Sequence, residues 1–141
     1  MGNPRSRSTT VIGLDTSVLV RYLVGTPSGQ ARKAAALIDG SVEVGVSPVA
    51  LAECAHVLRT QYGVGQGDIL NSLIALVQRA NVRVLGLRTD VLVGVLVRAR
   101  QLPGRPLPDA LVVAASLAAD ALPLATFDRG QRRYGIATVE P

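Results

Sequence analysis

Short apolar runs alternating with segments of helical spacing constrain this chain more than any other feature. "VIGLD" ending at Asp15, "VEVGVS" from Val42 to Ser47, "VRVLGL" from Val82 to Leu87 and "LPLAT" from Leu122 to Thr126 have the length and residue types of strands. "IATVE" from Ile136 adds a short fifth. Between them lie stretches with apolar residues three and four apart, such as Leu51, Ala55, Leu58 and Tyr62, or Ile69, Leu73, Leu76 and Val77. Strands separated by helices predict an α/β domain, three layers α/β/α, around a mainly parallel central sheet of four to five strands. Ligands of such sheets lie beyond the carboxyl ends of the strands.

Punctuation supports this division. Ser47 and Pro48 announce a helix as N-cap and first-turn proline, and Pro108 does the same for "PDALVVAASLAADA". That last helix is apolar around nearly its whole circumference, which predicts burial. "PGRPLP" between Pro103 and Pro108 reads as a breaker. The polar, proline-containing residues 1–10 read as a flexible arm, and residues 11–141 as one domain. No apolar run reaches the roughly 18 residues of a membrane helix and no secretory signal is visible, so a soluble cytoplasmic protein without membrane contact is expected.

Composition narrows the chemistry. One cysteine, Cys54, excludes an intrachain disulfide, and one histidine, His56, excludes a zinc site of the usual cysteine and histidine kind. Any metal must be held mainly by oxygen. The formal net charge is +5, and 14 of the 15 basic residues are arginine, a balance that favours polyanions. With only four aromatic residues, contacts to a phosphate backbone are expected over base stacking.

Four of the ten carboxylates sit in or against apolar elements, where an unpaired charge is costly. Asp15 closes the first strand, Glu53 lies inside "ALAECAHVL", Asp109 falls in the first turn of the most apolar helix, and Asp128 follows "LPLAT" through Phe127. Each has a structural reading of its own. Asp15 can cap a helix, Glu53 can snorkel outward, Asp109 can complement the helix dipole, and Asp128 with Gln131 three residues on forms a capping box. Together they allow another reading, in which strand ends and helix beginnings gather the acids at one rim of the sheet. Crowded carboxylates repel, and a hard divalent cation, magnesium or manganese, removes the conflict. Such a cation suits phosphodiester hydrolysis. Arg129, Arg132 and Arg133 then hold the polyanion or pair with surface acids, and the hydroxyls of Ser17 or Thr126 assist.

The blocks "GLDTSVLVRYL", "ALAECAHVL", "LPDALVVAASL" and "LATFDRGQRRYG" resemble, in this order, the PIN-domain ribonucleases, most closely the VapC-like toxins of bacterial toxin–antitoxin modules. The likeness covers nearly the whole chain after residue 10. It implies a metal-dependent endoribonuclease with RNA as substrate, Mg2+ or Mn2+ as cofactor, and Asp15, Glu53, Asp109 and Asp128 as catalytic and metal-binding residues. It also implies a homodimer and a cognate antitoxin. A non-catalytic RNA-binding or protein-binding domain of the same fold is the rival. Other chemistries fit less well. Glu53 and His56 form one Glu-x-x-His pair, but a di-iron bundle needs two. Ser17 stands where a haloacid dehalogenase carries its second aspartate, and no glycine-rich phosphate loop occurs.

Overall fold

A computed structural model describes residues 10–141. Apart from Thr10, the expected N-terminal arm lies outside the described residues. The chain runs β1 (Ile12–Gly13), α1 (Thr16–Val24), α2 (Ser28–Ile38), β2 (Val44–Val46), α3 (Pro48–Tyr62), α4 (Gln66–Val77), β3 (Val82–Val84), α5 (Thr89–Arg100), α6 (Leu107–Ala118) and β4 (Leu124–Ala125). A 3-10 helix (Arg129–Tyr134) and β5 (Thr138–Val139) complete it. The α/β class and every strand and helix expected from the sequence are present.

Among the described residues all pairing is parallel, and five strands form two sheets. β1, β2 and β3 lie side by side in that order, with Ile12 opposite Val44 and Val44 opposite Val82. β4 pairs only with β5, Leu124 opposite Thr138. The strands are two or three residues long, because each apolar run turns into a helix almost at once. Gly45 lies at the centre of β2, where a Cβ would stand 2.7 Å from Leu85 Cδ2.

Helices build most of the core. Ser47 Oγ accepts from the N–H of Ala50 at 3.0 Å and starts α3 as the sequence predicts, and Gly63 in the left-handed conformation ends it. Leu51, Cys54, Leu58, Ile69, Leu73, Leu76, Leu92 and Leu96 from α3, α4 and α5 are buried around Val44 and Val46 of β2. Removing such a side chain, as in Leu51→Ala, typically costs 2 to 5 kcal/mol, roughly, through lost transfer energy and the cavity left behind. Cys54 is among these core residues, and burial pushes its thiol pKa up to about 11, so it behaves as a small hydrophobe. Helix α6 departs from expectation. Leu107, Ala110, Leu111, Val113 and Ala114 are buried, yet Val112 and Leu117 are exposed. An apolar circumference sets how much of a helix can be buried; the neighbours available set how much is. No helix among the described residues is long and apolar enough to cross a membrane.

Candidate active site

Asp15 follows β1 directly and stands at the N-cap of α1 with extended backbone. Its side chain does not cap that helix; its Oδ2 accepts from Ser17 Oγ at 3.5 Å. Ser47 and Pro48 turn the chain after β2 into α3, which carries Glu53 in its second turn. There Thr16 Oγ1 donates to Glu53 Oε1 at 2.9 Å, across 37 residues of sequence. Asp15, Thr16, Ser17 and Glu53 line one open cavity of about 420 Å³, together with Arg21, Gln61 and Tyr62. Arg21 aims its Nε at Gln30 at 2.7 Å, and neither Asp15 nor Glu53 has an ion-pair partner among the described residues.

Asp109 and Asp128 form a second pair with different surroundings. Asp109 sits in the first turn of α6, where the dipole favours it. Asp128 is the N-cap of the 3-10 helix, its Oδ1 accepting from the N–H of Gly130 at 2.8 Å. Thr126 supports that turn, its Oγ1 accepting from the N–H of Asp128 at 2.9 Å. The two acids are joined by Arg105. Its Nη2 donates to Asp109 Oδ2 at 3.0 Å, to Asp128 Oδ2 at 2.7 Å and to Gln131 Oε1 at 3.1 Å. The Arg105 guanidinium and then the Gly130 N–H hold the Asp128 carboxyl below the usual carboxylate range.

Arg105 is the residue that sequence reasoning missed. "PGRPLP" carried a breaker signal and no chemical one, and Arg129, Arg132 and Arg133 drew attention as the arginines nearest Asp128 in sequence. None of those three pairs with Asp128 through its side chain; among the described residues that role falls to Arg105, 23 positions upstream. Gln131 differs as well. It does not reach back as a capping-box partner but turns inward, 5% exposed, with its Nε2 donating to the Asp109 carbonyl at 3.4 Å.

The acids thus come together as two pairs, Asp15 with Glu53 and Asp109 with Asp128, and α3, which carries Glu53, packs on both α1 and α6. No group of three or more His, Cys, Asp and Glu side chains that could hold a metal occurs among the described residues. Among the described residues β4 is not hydrogen-bonded to the three-stranded sheet, and α6 follows a loop after α5 instead of a strand. The open pair still fits a hard cation by the chemistry of its donors, carboxylates and hydroxyls, with Arg21 in the same cavity turned to Gln30. Magnesium commonly takes one or two carboxylates and completes its shell with waters and phosphates. On the far flank of α3 a cavity of about 480 Å³ is lined by His56, Arg59, Gln66 and Arg105. Arg59 Nη2 meets His56 Nδ1 at 3.3 Å and has no acidic partner among the described residues, which leaves cationic surface beside the acids.

Comparison with known proteins adds one decisive finding. A family model described as PIN domain matches residues 12–137. No characterised protein and no solved structure matches the chain. PIN domains are nuclease-type domains that generally depend on divalent metals, and those that are nucleases bind RNA. The match spans every strand from β1 to β4 and all four acids, and the chain belongs to the PIN-domain family.

Proposed function

We propose that this PIN domain is a magnesium- or manganese-dependent endoribonuclease that hydrolyses RNA phosphodiester bonds, and that it serves as the toxin of a toxin–antitoxin pair. The observation that carries the nuclease reading is the open pair. Asp15 and Glu53, from separate elements, line one cavity with hydroxyl partners and no ion-pair partner among the described residues. Both are exposed, which leaves their oxygens open to a hard divalent ion.

The open pair, Asp15 and Glu53, would hold the ion, and Asp109 and Asp128 are the further ligands that the resemblance implies. When bound, a divalent ion lowers the pKa of a water and neutralises charge on the leaving oxygen. The chain's own groups do the rest. Thr16 fixes the rotamer of Glu53, Ser17 steadies Asp15, and Thr126 sets the turn that presents Asp128. His56 and Arg59, in the neighbouring cavity, receive the phosphates flanking the scissile bond. Arg59→Ala should weaken RNA binding uniformly across sequences and reduce the salt slope by about 1, as for a single phosphate contact.

The toxin assignment rests on the resemblance of the four sequence blocks, and it brings with it a cognate antitoxin and a homodimer as expected partners. Purified protein should cleave total cellular RNA in MgCl2 or MnCl2 and stop when a chelator is added. Asp15→Asn should be inactive yet folded. RNA binding without cleavage under every metal condition would instead favour a non-catalytic binding domain.

A further inference from the structure

Arg105 occupies an unusual place for an arginine. Its Nη2 has two hydrogens but three oxygens within 3.1 Å, from Asp109, Asp128 and Gln131. At least one hydrogen is shared. Oxygens from two acids and an amide converging on one positive centre are the surroundings of a small cation, here filled by a side chain. The surroundings are built for it. The Arg105 side chain is 15% exposed, and Gln131, one of its acceptors, is a buried amide. Gly130 lies directly against the guanidinium, and a Cβ there would stand 2.8 Å from Cζ. From the other side, Gln66 Nε2 donates to the Arg105 carbonyl at 3.1 Å and fixes the loop that delivers it.

We propose that Arg105 is an internal competitor for the divalent cation. It neutralises Asp109 and Asp128 with its own charge, and a metal ion can take those carboxylate oxygens only as Arg105 releases them. Two cations on the same carboxylate oxygens repel, so each one present lowers the affinity for the other. The open pair, Asp15 and Glu53, has no ion-pair partner among the described residues. Arg105 therefore sets the cation concentration at which Asp109 and Asp128 take up the ion. This inference rests on reading the four acids as the cation site, and it concerns the Arg105 contacts, which that reading does not require.

The test is calorimetric titration of the purified full chain with MnCl2, without RNA. Arg105→Met removes the charge at similar length and should tighten Mn2+ binding about tenfold, within the usual range for coupled sites. Arg105→Lys keeps the charge and should stay near the wild-type affinity. Arg105→Gln removes the charge but keeps a donor for the acids, and should tighten binding in the same direction. It decides the matter if Arg105→Met fails to fold. Unchanged or weaker Mn2+ binding in folded Arg105→Met, or in Arg105→Gln, overturns the competition. Asp15→Asn separates this from the broader reading. If Asp15→Asn binds Mn2+ like wild type while Arg105→Met still tightens, the four-acid site falls and the competition stands. If Asp15→Asn weakens binding and neither Arg105→Met nor Arg105→Gln tightens it, the reverse holds.

Discussion

The two acid pairs of this molecule are made of the same functional group and are neutralised in opposite ways. Asp15 and Glu53 are held by hydroxyls from Ser17 and Thr16 and face an open cavity. Asp109 and Asp128 are held by a guanidinium that also binds a buried amide. A carboxylate that only accepts from a hydroxyl keeps its charge available to a ligand, whereas one paired with arginine has part of its interaction energy already satisfied. The first pair is therefore poised for a cation, while the second also contributes to the fold around Gln131. Function and stability should separate along this line.

The largest effects belong to the open pair. Asp15→Asn or Glu53→Gln should reduce Mg2+- or Mn2+-dependent RNA cleavage by at least about 100-fold, a typical loss for a preorganised charge-stabilising group. Urea midpoints of the two variants should stay near that of wild type, because neither acid has an ion-pair partner among the described residues. Retained cleavage in Asp15→Asn would break the comparison outright. Next comes Thr16→Val, which frees Glu53 to change rotamer. Cleavage should fall about 10- to 100-fold, as for other groups that orient a ligand. Its stability should change by less than about 0.5 kcal/mol.

The arginine-bound pair should respond the other way. Gln131→Leu removes a buried amide that bonds both Arg105 Nη2 and the Asp109 carbonyl, and should destabilise the fold by about 1 to 3 kcal/mol in urea titrations. If Gln131→Leu left stability intact while Thr16→Val lowered it, the assignment of roles would be reversed. The smallest effect is on acid stability. The Asp128 carboxyl is held below its usual range by Arg105, so the stabilisation from this pair is complete above the unfolded carboxyl pKa of about 3.9 and is lost as pH falls through the lower folded value. Urea midpoints measured on the acid side should show this limb in wild type and a flatter one in Arg105→Met. Asp128 is half exposed, so the difference should be modest.

Most of the framework was legible beforehand. Ser47 and Pro48 start α3 as local chemistry requires, and the runs ending at Asp15 and Ser47 become parallel strands with their helices following. Asp128 caps its helix, as its place after the strand-like run "LPLAT" and ahead of Gln131 suggests. What failed were inferences that carried a local signal across the molecule. The rim argument placed all helix beginnings after strands, but α6 follows a loop. Gln131 has the spacing of a capping-box residue, yet a buried guanidinium offers its amide a stronger partner than an exposed backbone N–H does.

By itself, the sequence determined the order of strands and helices, the caps of α3 and of the 3-10 helix, and the buried faces of α3, Tyr62 excepted, and α4. These follow from residue periodicity and from hydrogen bonds that close within a turn. Only the tertiary structure decided that the fourth and fifth strands pair apart from the first three, that Val112 and Leu117 of α6 stay exposed, and that Arg105 is the cation shared by Asp109 and Asp128. The physical reason is that those outcomes depend on which distant surfaces meet once the core closes. Charge carries no directional signal along a chain, and an arginine in a proline-rich loop finds its acids through packing alone.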